Sequence, residues 1–171
     1  MPSRKTQKIH GVVYTPPDIV DMVLDVAGYT VGSGIVGKTV LEPSCGDGTF
    51  LRAITDRLLT ECSDTNVSLT DARDHLISDI HAIELDASEC DKARRAMCDA
   101  AERHGIDVAP SDLVNIVCGD AVELLQSSTD RFDLVVGING KEILELGIRR
   151  TSAYTTSTCR RCRVSGGARA A

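Results

Sequence analysis

Long apolar runs and tryptophans are both missing from this chain of 171 residues. No stretch approaches the roughly 20 consecutive apolar residues that a membrane-spanning helix needs. The polar start, Met1 to Lys5, contains no signal-peptide core, so we expect a cytoplasmic protein with no membrane partner. The seven cysteines are an odd number spread through predicted helices and strands, which indicates reduced thiols rather than a disulfide framework.

Patterns typical of metal sites and of cysteine nucleophiles are absent as well. The four histidines show no ligand spacing, and the pair Cys159 and Cys162 supplies two ligands where a structural zinc ion takes four. Cys45 has no histidine near it in sequence that would activate its thiol, so we expect a small packed side chain there. We therefore predict no metal.

Charge is divided unevenly along the chain, whose net charge is −6. Residues 1–137 carry 12 basic and 23 acidic side chains, whereas residues 138–171 carry seven basic and two acidic ones. An acidic body is a poor electrostatic surface for DNA. Any binding of nucleic acid must therefore depend on a part of the protein other than this acidic body.

Apolar spacing predicts strands that alternate with helices, which is typical of a parallel α/β sheet. Thr15 is the predicted N-cap of the first helix, with Pro16 at the first helical position. After residue 137 no apolar periodicity or further strand is visible, so we expect a disordered, basic, low-complexity tail over 138–171. The predicted strands are 38–42, 80–85, 113–118 and 132–136, and the predicted helices are 16–27, 48–61, 69–78, 87–103 and 121–126.

A glycine-containing loop follows the first predicted strand. Residues 40–51 read V-L-E-P-S-C-G-D-G-T-F-L, so an apolar strand enters a tight turn that opens a helix. Such a turn is typical of a cofactor site at the carboxyl end of the first strand of a doubly wound sheet, although the dinucleotide pattern G-x-G-x-x-G is absent. The alternative is a plain corner in which both glycines serve turn geometry alone. The candidate cofactor-binding residues of the loop are Glu42, Pro43, Cys45, Gly46, Asp47 and Gly48, of which the two acids suit a cationic amino group.

Acidic residues also close the next two predicted strands. Glu84 is suited to accept both hydroxyls of a ribose, and Asp120 is suited to accept from the exocyclic amine of an adenine. The alternatives are a surface acid at Glu84 and a helix N-cap at Asp120, while Asp86 is the predicted N-cap of the next helix. Parallel strands place all three carboxyl ends on one edge of the sheet, and this order of features favours a cofactor site.

The loop and three other segments resemble, in order, the amino-terminal part of the N6-adenine DNA methyltransferases of the Eco57I-like, gamma-order type. These segments are G-V-V-Y-T-P-P at 11–17, I-E-L-D at 83–86 and D-L-V-V-G at 133–137. The resemblance covers residues 9–137 and implies an α/β, Rossmann-like S-adenosylmethionine-dependent methyltransferase fold, truncated after strand four. It also implies S-adenosylmethionine as cofactor, with Tyr14 and Thr15 as further cofactor contacts. Duplex DNA, and a restriction endonuclease or complementing chain, are the implied partners.

The resemblance stops where the family carries N-P-P-Y, because residues 138–141 read I-N-G-K. In the family, the Asn side chain and a Pro carbonyl accept the two N–H bonds of the target amine, and the aromatic ring stacks on the flipped base. Asn139 is a weak candidate for one acceptor, and the prolines and the ring are missing. We therefore expect an inactive partial methyltransferase domain over 1–137, with the tail disordered or translated out of frame.

Two alternatives stay open at this point. Methyltransferases that act on protein glutamine or on RNA also use N-P-P-Y, although they normally have no Y-T-P-P segment ahead of the loop. The other alternative is the non-catalytic, cofactor-binding half of a split enzyme.

Overall fold

The computed structural model of the chain describes residues 15–126, 128, 130–137, 156–157 and 162–163. Helices and strands alternate through most of this part of the chain, and none of its helices is long and apolar enough to cross a membrane. The helices are α1 (Pro17–Val26), α2 (Thr49–Asp64), α3 (Leu69–Asp79), α4 (Ala87–Arg103) and α5 (Ala121–Gln126). The strands are β1 (Val40–Glu42), β2 (Ile80–Glu84), β3 (Ile116–Cys118), β4 (Arg131–Phe132), β5 (Leu134–Val136), β6 (Thr156–Ser157) and β7 (Cys162–Arg163).

A parallel sheet in the order β3-β2-β1-β5 forms the centre of the fold. Val40 of β1 is paired with Ile80 of β2 on one side and with Leu134 of β5 on the other. The predicted α/β, Rossmann-like class is therefore confirmed, and β5 is its fourth parallel strand. The three acids predicted at strand ends consequently face the same edge.

Successive side chains of a strand point to opposite faces of the sheet, so each strand contributes to the packing on both faces. On one face Val40, Leu134 and Val136 belong to the larger hydrophobic core, which α1 to α4 cover. On the other face Leu41 and Val135 pack in a smaller cluster with residues of α5. The sheet is thus sandwiched between two layers, and its carboxyl edge is left for a ligand.

Helix α1 begins one residue later than the sequence predicts. Its N-cap is Pro16, with φ −57° and ψ 142°, and no side chain caps it, so the predicted Thr15 cap is wrong. Pro17 explains the shift, because a proline disfavours helical geometry in the residue before it. Pro17 instead takes the early helical position that was expected for Pro16.

An arginine and a glutamate of α2 hold α1 and the connector after it. The Arg57 guanidinium contacts the carboxylates of Asp21 and Asp25 at 3.0 and 2.7 Å. The buried Glu61 carboxylate accepts from the backbone N–H groups of Gly32 and Ile35 at 3.0 and 2.9 Å. These contacts fix α1, and with it the chain that enters α1, beside the loop that precedes α2.

Two short strands lie beyond residue 137, where the sequence predicts none. Strand β6 pairs antiparallel with β5, and β7 pairs antiparallel with β4. The expectation of no further strand is therefore wrong at these four residues. The physical reason is that an open strand edge offers backbone N–H and C=O groups, which pair with another backbone whatever its side-chain pattern.

Candidate functional site

The loop after β1 lies alongside the end of β2. The Cys45 N–H donates to the carbonyl of Ile83 at 3.0 Å, which extends the pairing of the two strands into the loop. One strand further across the sheet, the Gly119 N–H donates to the carbonyl of Glu84 at 2.8 Å. The structure thus brings the loop, Glu84 and the segment before Asp120 together at one edge.

Glu84 links this loop to the start of α4 through both carboxylate oxygens. Oε2 accepts from the Gly46 N–H at 2.8 Å, and Oε1 accepts from the Asp86 N–H at 2.9 Å. Each carboxylate oxygen has two lone pairs, so acceptor capacity remains for a ligand hydroxyl. Glu84 therefore shapes the loop before any ligand binds, a role that its position at a strand end did not reveal.

Glu42 is the most buried acid of the edge, with 2% of its surface exposed. Its Oε2 is fully buried and has no hydrogen-bond partner among the residues that the structure describes. Desolvation, and then the neighbouring carboxyl groups of Asp47 and Glu84, raise the pKa of Glu42 well above its usual value. An unpartnered buried oxygen is costly, and a cationic donor placed beside it would remove that cost.

The carboxylates of Asp47 and Asp120 both accept hydrogen bonds from residues at the start of a helix. Asp47 Oδ1 accepts from the backbone N–H and the hydroxyl of Thr49, at 3.2 and 2.7 Å, where α2 begins. Asp120 Oδ1 accepts from the N–H groups of Val122 and Glu123 at 2.8 and 3.2 Å, so the N-cap alternative is observed. Each carboxylate directs one oxygen to these bonds.

The two loop glycines differ in what surrounds them. A Cβ on Gly46 would have no atom within 4 Å, so open space lies over this residue. A Cβ on Gly48 would come within 2.7 Å of the Ala93 Cα, and the φ of Gly48 is +85°. Packing of α4 against the loop therefore accounts for Gly48, whereas the space over Gly46 is available to a ligand.

Cys45 and Pro43 are both buried in the loop. Burial, and then the carboxyl groups of Glu42 and Glu84, raise the pKa of the Cys45 thiol. A neutral, packed thiol is a poor nucleophile, which confirms the expectation of a packed side chain.

The predicted contacts at the chain's start and after β5 are only partly within the described residues. Thr15 is described and half-buried, whereas Tyr14 and Asn139 lie outside the described residues. A cleft of about 190 Å³ between α1 and α2 is lined by Pro17 and Thr49, among others. The cleft places the start of α1 near the start of α2.

Leu85 is a site candidate that the sequence reasoning missed. It follows Glu84 at the same edge, and 72% of its surface is exposed. An exposed large apolar side chain beside a strand-end acid offers a surface for a planar ligand. The signal was present in the segment I-E-L-D, where an apolar residue follows the acid.

No protein-family model matches the chain. It is 32% identical over 142 residues to the type II methyltransferase M.BstVI of Geobacillus stearothermophilus, an alignment that covers 80% of this chain and 25% of the relative. It is 33% identical over 128 residues to M.PaeR7I of Pseudomonas aeruginosa, with 74% and 22% covered. The chain is a partial relative of the type II DNA methyltransferases. M.XhoI of Xanthomonas vasicola, at 29% identity with 74% and 23% covered, belongs to the same group.

The chain spans about a quarter of the length of these methyltransferases. Two solved restriction–modification enzymes share its fold. The Type ISP enzyme LlaGI, a nuclease-deletion mutant in complex with a DNA substrate mimic, matches with TM-score 0.53 and 22% identity over 70% of this chain and 10% of its own. The ATP-dependent Type ISP enzyme LlaBIII bound to DNA matches with TM-score 0.52 and 19% identity over 82% and 10%.

His, Cys, Asp and Glu side chains are the possible metal ligands in the described part of the chain. Among those residues no group of three or more His, Cys, Asp or Glu side chains is arranged to hold a metal ion. Carboxylate oxygens such as those of the acids at the sheet edge accept hydrogen bonds from neutral and cationic donors.

Proposed function

We propose that this chain is the cofactor-binding part of an S-adenosylmethionine-dependent DNA methyltransferase of a restriction–modification system, specific for adenine N6. The observation that carries the proposal is the meeting of the loop with Glu84 and Glu42 at one sheet edge. The names of the relatives, all type II methyltransferases, support the class of reaction.

The residues present fit the cofactor's parts. Open space over Gly46 admits a ligand against the main chain, and Glu84 keeps acceptor capacity for ribose hydroxyls. Leu85 offers an apolar face to the adenine, with Asp120 nearby in the fold to accept from its amine. Glu42 and Asp47 face the amino-acid end, to which we also assign Pro43, Cys45, Tyr14 and Thr15. S-adenosylmethionine, when bound, supplies a methyl group activated by a positively charged sulfur.

Duplex DNA is the proposed substrate of the whole protein, in the cytoplasm, with a restriction endonuclease as functional partner. Adenine specificity rests on the resemblance of the Y-T-P-P and E-P-x-C-G-x-G segments. This chain alone is expected not to transfer a methyl group, because I-N-G-K at 138–141 provides neither the two prolines nor the stacking ring.

Calorimetric titration of the purified chain with S-adenosylmethionine tests the proposal. We expect saturable binding, and we expect Glu84→Ala to weaken it by about tenfold or more, since a charge-assisted hydrogen bond contributes roughly 1.5–3 kcal/mol. Glu102→Ala is the matched control, because Glu102 is an exposed acid on α4 away from the edge. Its affinity should equal that of the unmodified chain.

Circular dichroism before each titration establishes that the chain is folded. A folded chain that does not bind S-adenosylmethionine contradicts the proposal outright. Binding that Glu84→Ala leaves unchanged contradicts the assignment of the ribose site.

A second candidate is the cofactor-binding half of a two-chain enzyme, and the position of β5 favours it. All three residues of β5 are buried, and among the described residues its outer side pairs with no strand longer than the two-residue β6. A longer strand from a second chain would satisfy that edge better. Co-expression with the protein encoded downstream, followed by co-purification and a methylation assay, distinguishes this candidate from a chain that acts alone.

A further inference from the structure

Glu42 combines features that a surface acid does not have. It ends the central strand β1, 2% of its surface is exposed, and its Oε2 has no hydrogen-bond partner within the described part of the chain. Its neighbour across the strand pair is Ala82, which offers no side-chain donor. Among the described residues, Oε2 therefore has no hydrogen-bond donor that would stabilise a negative charge on it.

The titratable groups around Glu42 add to this effect. Asp47 of the loop and Glu84 of β2 both act on it as like charges, and the Cys45 thiol lies close enough to be affected by Glu42 in turn. Each of these groups is an acid. Burial and like charges act in the same direction and favour the neutral carboxylic acid.

We propose that Glu42 is protonated in the free chain and gives up its proton when the α-ammonium group of S-adenosylmethionine binds. The inference rests on the proposed function and deepens it, because it names the subsite and the state of its acceptor. The ammonium group supplies the missing donor to Oε2 and offsets the carboxylates of Asp47 and Glu84.

The step balances as a proton exchange with solvent. The O–H bond of the Glu42 carboxyl group breaks, its electron pair stays on the carboxylate, and the proton passes to the buffer. The cofactor keeps its ammonium protons and donates one of them in a charge-assisted hydrogen bond. Below the pKa of Glu42, the affinity should therefore rise by up to about tenfold for each unit of pH.

Titration calorimetry in phosphate and in Tris at the same pH, ionic strength and temperature tests the inference. These buffers differ widely in ionisation enthalpy, so a released proton makes the observed binding enthalpy depend on the buffer. We expect release approaching one proton per cofactor. Equal binding enthalpies in both buffers would overturn the inference while leaving the proposed function intact, and absence of binding by the folded chain would overturn both.

Two variants and one analogue locate the proton. Glu42→Gln should remove the buffer dependence, whereas Glu102→Gln, a change at an exposed acid of α4, should retain it. S-adenosylhomocysteine keeps the ammonium group and has no sulfonium charge, so it should release the same proton. Proton release that persists in Glu42→Gln would contradict the assignment. Proton release that occurs with S-adenosylmethionine but not with S-adenosylhomocysteine would contradict it as well. The measurement on the unmodified chain needs neither variant to fold.

Discussion

A buried carboxyl group makes folding depend on pH, and Glu42 is the residue of this chain where that effect should be largest. In the unfolded chain its carboxyl group ionises near a pKa of about 4.3. In the folded chain desolvation and the carboxyl groups of Asp47 and Glu84 raise that pKa. At low pH the carboxyl group is neutral in both states, so its burial does not disfavour the folded chain. The folded chain then loses stability as the pH rises from the unfolded pKa of Glu42 through the folded one.

We therefore predict that Glu42→Gln stabilises the ligand-free chain at neutral pH. Each unit by which the folded pKa exceeds the unfolded one is equivalent to about 1.4 kcal/mol at a pH above both values. The gain in stability should shrink toward zero as the pH falls to about 4, because Glu42 then becomes protonated in the unfolded chain as well as in the folded one and is neutral like glutamine. Urea unfolding followed by circular dichroism across this range measures it, with Glu102→Gln as the exposed control. A pH-independent difference would contradict the prediction.

At the scale of elements, the contact between α4 and the loop after β1 distinguishes Gly48, which packs against α4, from Gly46, which has open space over it. Gly48→Ala places a Cβ within 2.7 Å of the Ala93 Cα at a φ of +85°. Overpacking and left-handed strain together should destabilise the chain by about 2–4 kcal/mol. Gly46→Ala meets no atom within 4 Å, so we expect a loss of about 1 kcal/mol from strain alone.

Thermal and urea unfolding of the two alanine variants check this ordering. Gly46→Ala should in addition reduce cofactor affinity far more than it reduces stability, because its methyl group enters the space proposed for the ligand. Equal losses of stability in the two variants would show that the difference in packing is not as described.

The element boundaries were predictable where a side chain caps or interrupts the chain. Helix α4 has the predicted bounds, because the Asp86 carboxylate caps it with bonds to the N–H groups of Ser88 and Glu89. Helix α2 extends beyond the predicted residue 61 to Asp64, since the residue that breaks it, Asn66 with φ +57°, comes later. Strand lengths were overestimated, because apolar residues such as Leu113 belong to the core without being paired in the sheet.

The site was predictable as a set of positions but not as a set of bonds. The positions of Glu42 and Glu84 at the ends of neighbouring strands follow from the strand order, whereas their role as cofactor contacts stays a prediction. The carboxylate bond from Glu84 to the Gly46 N–H depends on how the loop folds back over β2, and the role of Gly48 depends on the approach of Ala93. Such long-range contacts leave no periodic signal in the sequence.

For the whole molecule, charge rather than shape determines what the chain does with DNA. Residues 1–137 carry 23 acidic and 12 basic side chains, so the folded body repels a polyanion. The basic residues after 137 are too few to offset this at physiological salt. The greater part of a relative's length lies outside the aligned region.

We predict that the chain alone shows no saturable binding to duplex DNA at ~10 μM protein and about 0.15 M salt, because non-specific binding depends on basic residues that neutralise phosphates. Fluorescence anisotropy with a labelled duplex measures this. Any binding that appears at low salt should disappear in a variant that combines Arg160→Ala and Arg161→Ala. Saturable binding at physiological salt would contradict the prediction.

The close approach of Gly48 and Ala93 also has a consequence for how this domain changes over evolutionary time. A larger side chain at either position would push the start of α2 away from α4, so neither position can change freely while the other stays fixed. In an alignment of related sequences the two positions should therefore vary together, with small residues on α4 wherever the loop ends in glycine. That covariation would mark the domain in distant sequences even where the acids of the site have been replaced.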